Sequence, residues 1–535
     1  MAEAYYEYRV PVIRSQDISS ALRAQLAREQ GARIKAAPLQ IALCYPSTYH
    51  VGMSSLGYQA IYGEINDRPD AMAERAFLPD DVEAYRRARV PLLTLESQRP
   101  VSDFPILAFS VAYELELAGL FTCLELAGAP AMRAERSDRH PLVVIGGPLT
   151  FSNPAVLEPF ADVIIEGEGE TGIHRLLDPA AGHDRAQLLA ALAREPGFRV
   201  PALAPGRASQ VLKAADDKLP AFSRILTPDT ELRSMFLIEP ERGCSRGCHY
   251  CVMRRTTNGG MRTVPVDRVM ELIPENARRV GLVGAAVTDH PRIAELLRRV
   301  VDSGREVGVS SLRADRLTQE LVDLLRRGGA KVLTVASDGM SQKMRDLVDR
   351  KHTEEQILRA ARCARQAGME RLKVYNMVGL PHEADGDIDE CVRFTTELSR
   401  ILPVALGVAP FVAKRNTPLD GAPFAGIKEV DRKLDRLRRG LKGKAEVRPT
   451  SARWAWVEYM LAQSGPEGGL AAHAAWRAGG SFAAHKRAFQ ELGVEPFLEN
   501  RTPDGRRSPT QWPVVPPRQP LASADARGAP LLPPQ

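Results

Sequence analysis

Nowhere in its 535 residues does this chain carry an apolar run approaching the ~20 residues that a membrane-spanning helix needs, so membrane insertion is not expected. Cysteine is scarce: there are seven, an odd number that argues against a disulfide framework. The opening MAEAYYEYRV places charge where a signal peptide has its apolar region, which argues against export and makes the cytoplasm the expected compartment. Neither sign of charge dominates. With 72 basic and 66 acidic residues the net charge is +6, a surplus that a solvated, arginine-rich surface explains better than a nucleic-acid footprint does. No segment repeats at a solenoid period.

What is present is an alternation of short apolar runs with amphipathic stretches, in a chain long enough for two or three domains. Residues 17–36 read as a helix, within an N-terminal helical extension over 1–35. IALCYP (41–46), PILAFSV (105–111), PLVVIGG (141–147) and DVIIEGEGE (162–170) then read as buried parallel strands, with helices such as 52–65 and 114–127 between them. The expected fold class is α/β, beginning with a doubly wound, Rossmann-like domain over 36–180. Its ligands would sit past the strand ends, after Cys44, Ser110, Gly147 and Glu166. Residues 181–231, with VPALAPGRA, are the expected linker. Six further strands follow: 236–243, 279–286, 306–315, 331–339, 372–381 and 404–414. With helices between them they predict a partial (β/α)6 TIM-type barrel over 232–420, functional groups lying at the strand C-termini. A helical region (421–495) and a disordered, proline-rich tail (496–535) complete the chain.

Against that scarcity of cysteine, ERGCSRGCHYC gathers Cys244, Cys248 and Cys251 on one loop directly after the first strand of the second unit. Gly243 and Gly247 let this backbone turn tightly enough for three thiolates to converge. A structural zinc usually takes four ligands, and the one nearby candidate for a fourth, His249, lies between two of the cysteines, where it is expected to point away. Three ligands suit a cubane iron–sulfur cluster with one iron left open. Cys44, Cys123, Cys363 and Cys391 are scattered through apolar or helical stretches and read as buried small side chains.

The spacing C-x3-C-x-aromatic-C, formed by Cys244, Cys248, Tyr250 and Cys251 after the first strand of such a barrel, resembles the signature of the radical S-adenosylmethionine (SAM) enzymes. The resemblance covers about 232–420 and implies a [4Fe-4S] cluster whose open iron binds SAM, reductive cleavage to a 5′-deoxyadenosyl radical, and an electron donor such as ferredoxin or flavodoxin. It implies SAM contacts at Tyr250, Gly284 and Ala285 after the second strand, Ser310, Ser311 and Arg313 after the third, Asp338 after the fourth, and Asn376 and Gly379 after the fifth. The family often has Gly-Gly-Glu after the second strand; here Gly284-Ala285-Ala286 offers backbone carbonyls alone. Without SAM, Arg313 and Asp315 read as a surface ion pair and Asp338 as a helix cap.

The first domain resembles the cobalamin-binding-like domains fused to many such enzymes, on YPSTYHVGMSSLGYQAIYGEI, IGGP and GEGE. Cobalamin would then meet Ser54, Ser110, Gly146, Gly147 and Glu168. The D-x-H-x-x-G motif that supplies an axial histidine is absent: Thr48 precedes His50, and Met53 replaces the glycine. With cobalamin the resemblance implies methyl transfer to an unreactive carbon; without it, the domain becomes a platform for another radical reaction on RNA or a small molecule. Methylthiolation would call for three further cluster cysteines, where this domain offers only Cys44 and Cys123. Lys414, at the end of the sixth strand, is a candidate substrate contact or a rim charge, and the basic segment before Trp454, Trp456 and Tyr459 could dock RNA or cover the barrel mouth. The rival class is a non-catalytic RNA-binding protein stabilised by zinc.

Overall fold

Runs of valine, isoleucine and leucine form the strands, and they do so in parallel sheets. The computed structural model describes residues 14–206, 210–253 and 260–495. The first sheet holds β1 (Leu39–Tyr45), β2 (Ala71–Phe77), β3 (Ile106–Ser110), β4 (Leu142–Gly146), β5 (Val163–Ile165) and β6 (Phe198–Arg199), in the order β2-β1-β3-β4-β5-β6. All neighbours are parallel except β5 and β6. The order reverses between β1 and β3, which is where open α/β sheets take their ligands.

The sequence pattern does not announce β2, because Glu74 and Arg75 interrupt AMAERAF. Both are buried: Arg75 is 0% exposed, with ion pairs to Glu29 (2.6 Å) and Glu96 (2.7 Å) replacing its hydration. Within 181–231, the expected linker, residues Arg185–Leu192 form a helix and β6 extends the sheet; Leu212 also exchanges backbone hydrogen bonds with Glu166 and Glu168. Proline in VPALAPGRA breaks helix and strand without keeping the flanking segments off the sheet. Arg207 and Ala208 of that stretch and Ser209 after it lie outside the described residues, as do the opening MAEAYYEYRV and the proline-rich tail.

Of the six later strands, FLIEPERG divides. β7 (Met235–Ile238) stops before Pro240, which has no N–H for a ladder, and β8 (Glu241–Gly243) pairs antiparallel with β9 (Met261–Thr263). β10 (Arg279–Leu282) lies between β7 and β11 (Glu306–Val309), all parallel. β12 (Val332–Ala336), β13 (Arg371–Val378), β14 (Val404–Pro410) and β15 (Glu446–Pro449) make a second parallel run in chain order. A parallel bridge between Leu312 and Val335 links the segment after β11 to β12. Intervening helices lay apolar stripes on these strands. Ile293–Asp302 buries Ile293, Leu296, Leu297 and Val300, the i, i+3, i+4, i+7 face of an amphipathic helix.

Helices Ala452–Ala462, Pro466–Arg477 and Phe482–Glu491 follow β15. Their aromatics largely pack on one another. Trp456 meets Phe482 and Phe489, Tyr459 is buried beside Phe424, and Trp454, 40% exposed, packs edge-on against His485. No described helix is long and apolar enough to cross a membrane.

Candidate active site around the cysteine loop

The β8–β9 hairpin presents the cysteine loop. Gly243 closes β8 with φ +92°, a conformation glycine adopts without a Cβ penalty, and Cys244 N–H donates to Gly260 O at 3.1 Å. His249 turns away from the thiols: its N–H donates to Val348 O at 3.0 Å and its Nδ1 lies 2.7 Å from Leu347 O. Cys248 is buried; Cys244 and Cys251 are partly exposed. Burial pushes the Cys251 thiol up to about 11, with Cys248 and Cys244 adding to the shift. Burial also raises Cys244 and Cys248. Among the described residues no three His, Cys, Asp or Glu side chains converge as ligands of a single metal ion. The thiolates of a cubane each hold a different iron, which does not require such convergence.

The loop is braced by a buried charge network. Arg313, 5% exposed, pairs with Asp289 and Asp315; Asp315 also meets His352 Nε2 and Arg246, each at 2.7 Å, while Ser245 donates to Asp289. The Arg313–Asp315 pair is thus real but internal rather than on the surface, and it leaves Arg313 engaged with the loop's supports. Tyr250 O–H donates to Asp338 Oδ2 at 2.8 Å, and Arg350 Nε lies 2.8 Å from the same oxygen. Asp338 is therefore no cap; its side chain is committed to two partners.

After β10, the Ser310 hydroxyl reaches Gly284 O at 3.4 Å, and Ala285 follows on the same loop. The carboxylate missing from this loop is supplied by a neighbour. Glu241, 0% exposed, accepts from Ala286 N–H at 2.8 Å, and a Cβ on Gly284 would collide with its Oε1. Its other oxygen has no hydrogen-bond partner. Burial, aided by Glu239 and Asp289, pushes this carboxyl up to about 7. Asn376 turns toward the helix Asp385–Ile401, its amide 3.8 Å from Cys391 Sγ, while Gly379 (φ +85°) donates to Glu383. Lys414 is neither free nor at an open rim: Nζ meets Glu114 at 2.6 Å and Glu458 at 2.8 Å, joining the loop after β3 to the helix Ala452–Ala462. Sequence reasoning missed Glu241, Asp289 and Arg350. ERGC is the only local signal among them, since it puts Glu241 at the loop's base.

Glu241 gives a pH-dependent prediction. Its native pKa, about 7, lies above the ordinary 4.5, so the folded state holds more protons than the unfolded one between those values and the wild type loses stability as pH rises through them. Glu241→Gln keeps an oxygen for Ala286 N–H. At pH 8 the cofactor-free variant is expected to be more stable than wild type by up to about 3 kcal/mol. The gap should close by about pH 4, as read from unfolding midpoints; a gap independent of pH would sink this assignment.

A cavity of about 310 Å³ opens where the ends of β1, β3, β4 and β5 face the cysteine loop. Leu43, Phe109, Val144 and Ile165 form its apolar wall, and Met253 and Val283 reach it from the other side. Ser110, Gly146, Gly147 and Glu168 line it; Ser54 does not, its hydroxyl being turned back to His50 O at 2.9 Å, and Ser55 takes its place. At Gly147 (φ +101°) a Cβ would stand 2.6 Å from Val111 O, so glycine lets two backbones meet there. Glu168 accepts from Ala214 N–H at 2.7 Å and pairs with Arg262, while Arg242 bridges Glu170 (2.6 Å) and Glu239 (2.7 Å).

Residues 57–201 match the family model described as "Radical SAM proteins, N-terminal", and 238–395 match that of the "Radical SAM superfamily". The chain belongs to the radical SAM superfamily. This radical SAM protein is 26% identical over 395 residues to an uncharacterized protein, MJ0966, of Methanocaldococcus jannaschii, covering 72% of this chain and 80% of that one. It is 21% identical over 279 residues to an uncharacterized methyltransferase, PH0819, of Pyrococcus horikoshii, covering 50% of this chain and 60% of the relative. Among solved structures it is similar in fold to the cobalamin-dependent SAM radical enzyme OxsB with aqua-cobalamin bound, at a TM-score of 0.50 and 13% identity. That likeness covers 69% of this chain and 53% of OxsB, about half the latter's length. Superfamily membership makes this radical SAM protein an enzyme and implies a [4Fe-4S] cluster and SAM. The donor set fits: three thiols on one loop, and a loop of backbone carbonyls beside a buried, half-unpartnered carboxylate.

Proposed function

We propose that Cys244, Cys248 and Cys251 hold the [4Fe-4S] cluster and that SAM lies over the ends of β10 to β13, against the Gly284–Ala286 loop, Ser310 and the Tyr250–Asp338 pair. On this reading β1 to β5 belong to a doubly wound domain over 36–180 to which β6 adds an edge strand, and β7 with β10 to β14 form the partial (β/α)6 barrel over 232–420. The cluster, when bound and reduced, supplies the electron that splits the SAM sulfonium into methionine and a 5′-deoxyadenosyl radical. The protein's own residues position the reactants and exclude water: Glu241 holds the strand-end loop, the Arg313–Asp289–Asp315 network stiffens the cysteine loop, and the apolar cavity wall offers the radical little to quench it.

The reaction we favour is methyl transfer to an unreactive carbon with cobalamin in the interdomain cavity. The observation that carries it is the cavity itself: Ser110, Gly146 and Gly147 line one side and Met253, two residues past Cys251, lines the other. Gly146, whose Cβ would meet nothing closer than 3.9 Å, leaves room for a macrocycle to approach the strand end. No histidine is among the described lining residues, so a corrinoid there would lack a protein imidazole. At about 310 Å³ the cavity is at the small end of ligand sites, ~300–1,000 Å³, so a corrinoid would have to part its walls. That volume favours a second reading, in which the cavity takes a small-molecule substrate and no cobalamin. Anaerobic reconstitution with iron, sulfide and cobalamin, then desalting and quantitation, separates the two. Retained cobalt near one per chain supports the methyltransferase; cobalamin that washes away while the cluster stays removes it. One zinc and no iron in the anaerobically purified chain would remove both.

A further inference from the structure

Eight described non-glycine residues have a left-handed backbone, and three of them, Asp338 (φ +60°), Asp349 (φ +51°) and Lys351 (φ +58°), surround one side chain. That conformation is uncommon for residues with a Cβ and persists where surrounding structure over-determines it. Here Asp349 and Lys351 flank Arg350 directly. Between them the chain bends so that the guanidinium, 14% exposed, points at the cysteine loop. Its Nη1 stands 3.9 Å from Cys248 Sγ, its Nη2 donates to Ala336 O at 3.4 Å, and its Nε lies 2.8 Å from Asp338 Oδ2. Tyr250 O–H donates to that same carboxylate oxygen, and Cys248 Sγ stands 3.9 Å from Asp349 O. Thiol, guanidinium, carboxylate and phenol thus form a connected row from the cysteine loop to the turn after β12, built from segments about a hundred residues apart.

We propose that Arg350 is a positioning residue for electron entry. Its permanent charge and N–H stabilise the reduced, more negative state of a cluster held through Cys248, and Asp338, braced by Tyr250, sets how much of that charge the sulfur feels. The inference rests on the cluster reading above. The step is a one-electron transfer from an external reductant such as a reduced flavodoxin- or ferredoxin-type carrier, which is oxidised as the cluster is reduced; no bond forms or breaks. Hydrogen bonds to the sulfurs and local charge are established levers on cluster potential. Arginine keeps its proton throughout the working pH range, so the effect does not switch with pH.

The test is an equilibrium redox titration, read by electron paramagnetic resonance, of the full chain reconstituted anaerobically as wild type, Arg350→Gln, Arg350→Lys and Asp338→Asn. Losing the charge in Arg350→Gln is expected to lower the ratio of reduced to oxidised cluster about tenfold at a fixed solution potential, a shift of ~59 mV for one electron. Arg350→Lys, which keeps the charge, should stay nearer to wild type. Asp338→Asn leaves the arginine unopposed and should move the ratio the opposite way. A filled cluster with an unchanged ratio in Arg350→Gln overturns the proposal. Where Arg350→Gln takes up too little iron to titrate, Asp338→Asn decides: an unchanged ratio there overturns it, an increase supports it. A wild-type chain that takes up no iron–sulfur cluster fails at the earlier reading instead, so the two failures are distinguishable.

Discussion

Replacing Cys248 by alanine is expected to reduce 5′-deoxyadenosine formation from SAM to background, at least a hundredfold below wild type (~3 kcal/mol in barrier terms). Cys248 is the most buried of the three loop thiols and the one beside Arg350, so its loss takes away the sulfur donor at the head of the row and leaves a guanidinium facing an alanine. Iron and sulfide per chain should fall with the activity. Cys363→Ala is the matched control. Cys363 lies half-buried on the helix Glu354–Gln366, at the edge of the core, and the variant should stay within about twofold of wild type, since the loss of one small, partly buried side chain away from the loop costs little. Product analysis after reduction with dithionite checks both. Undiminished cleavage by Cys248→Ala would remove the site; loss of cleavage in Cys363→Ala with the cluster intact would mean that the loop does not act alone.

The cysteine loop was legible because its spacing is local: three thiols and an aromatic within eight residues after a strand need no knowledge of the fold. The later strands were legible for a related reason. Runs such as KVLTVA and LKVYNMVG place an apolar side chain at nearly every second position, and Leu333 and Val335 in one and Leu372, Val374 and Val378 in the other form the buried face. The supports of the site were hidden. Arg350 lies about a hundred residues from Cys248, and nothing in VDRKHT distinguishes it from the many surface arginines of this chain. Asp289 sits in TDHP with no periodicity around it, yet it meets Arg313 and Ser245. Arg313 and Asp338 were singled out in sequence, but their partners define their part: a side chain that reads as free in sequence is an internal strut once Asp289, Tyr250 and Arg350 are beside it. Glu241 shows the converse. The loop after β10 lacks an acid of its own, and a carboxylate arrives there from a different strand, a substitution in space that no reading along the chain reveals.

The largest expected effect on stability lies far from the cysteines, in the strand that the hydrophobic pattern concealed. Arg75 is bound on two sides, its Nε to Glu96 and its Nη2 to Glu29, all three side chains being at most 1% exposed. Arg75 N–H also donates to Glu96 at 2.7 Å, and the Tyr49 hydroxyl to Glu29 at 2.6 Å, so the carboxylates have partners of their own. Arg75→Ala removes the one cation and strands two buried acids, a change expected to cost about 3–5 kcal/mol. It should appear as a fall in the midpoint of the first urea transition and faster proteolysis around β2. Arg75→Met restores much of the lost volume but not the charge, so it should recover little if charge rather than packing controls the cost. Adding Glu29→Gln and Glu96→Gln to Arg75→Met removes the stranded charges and should recover most of the stability, because a neutral, hydrogen-bonded interior avoids the penalty of ionising an acid away from water. Recovery by Arg75→Met alone would show instead that shape holds β2 in the sheet, and the charged pair would then be incidental to it. The order of these variants matters for the cavity as well, since β2 pairs with β1 along its whole length and β1 supplies Leu43 to the wall beneath the cysteine loop.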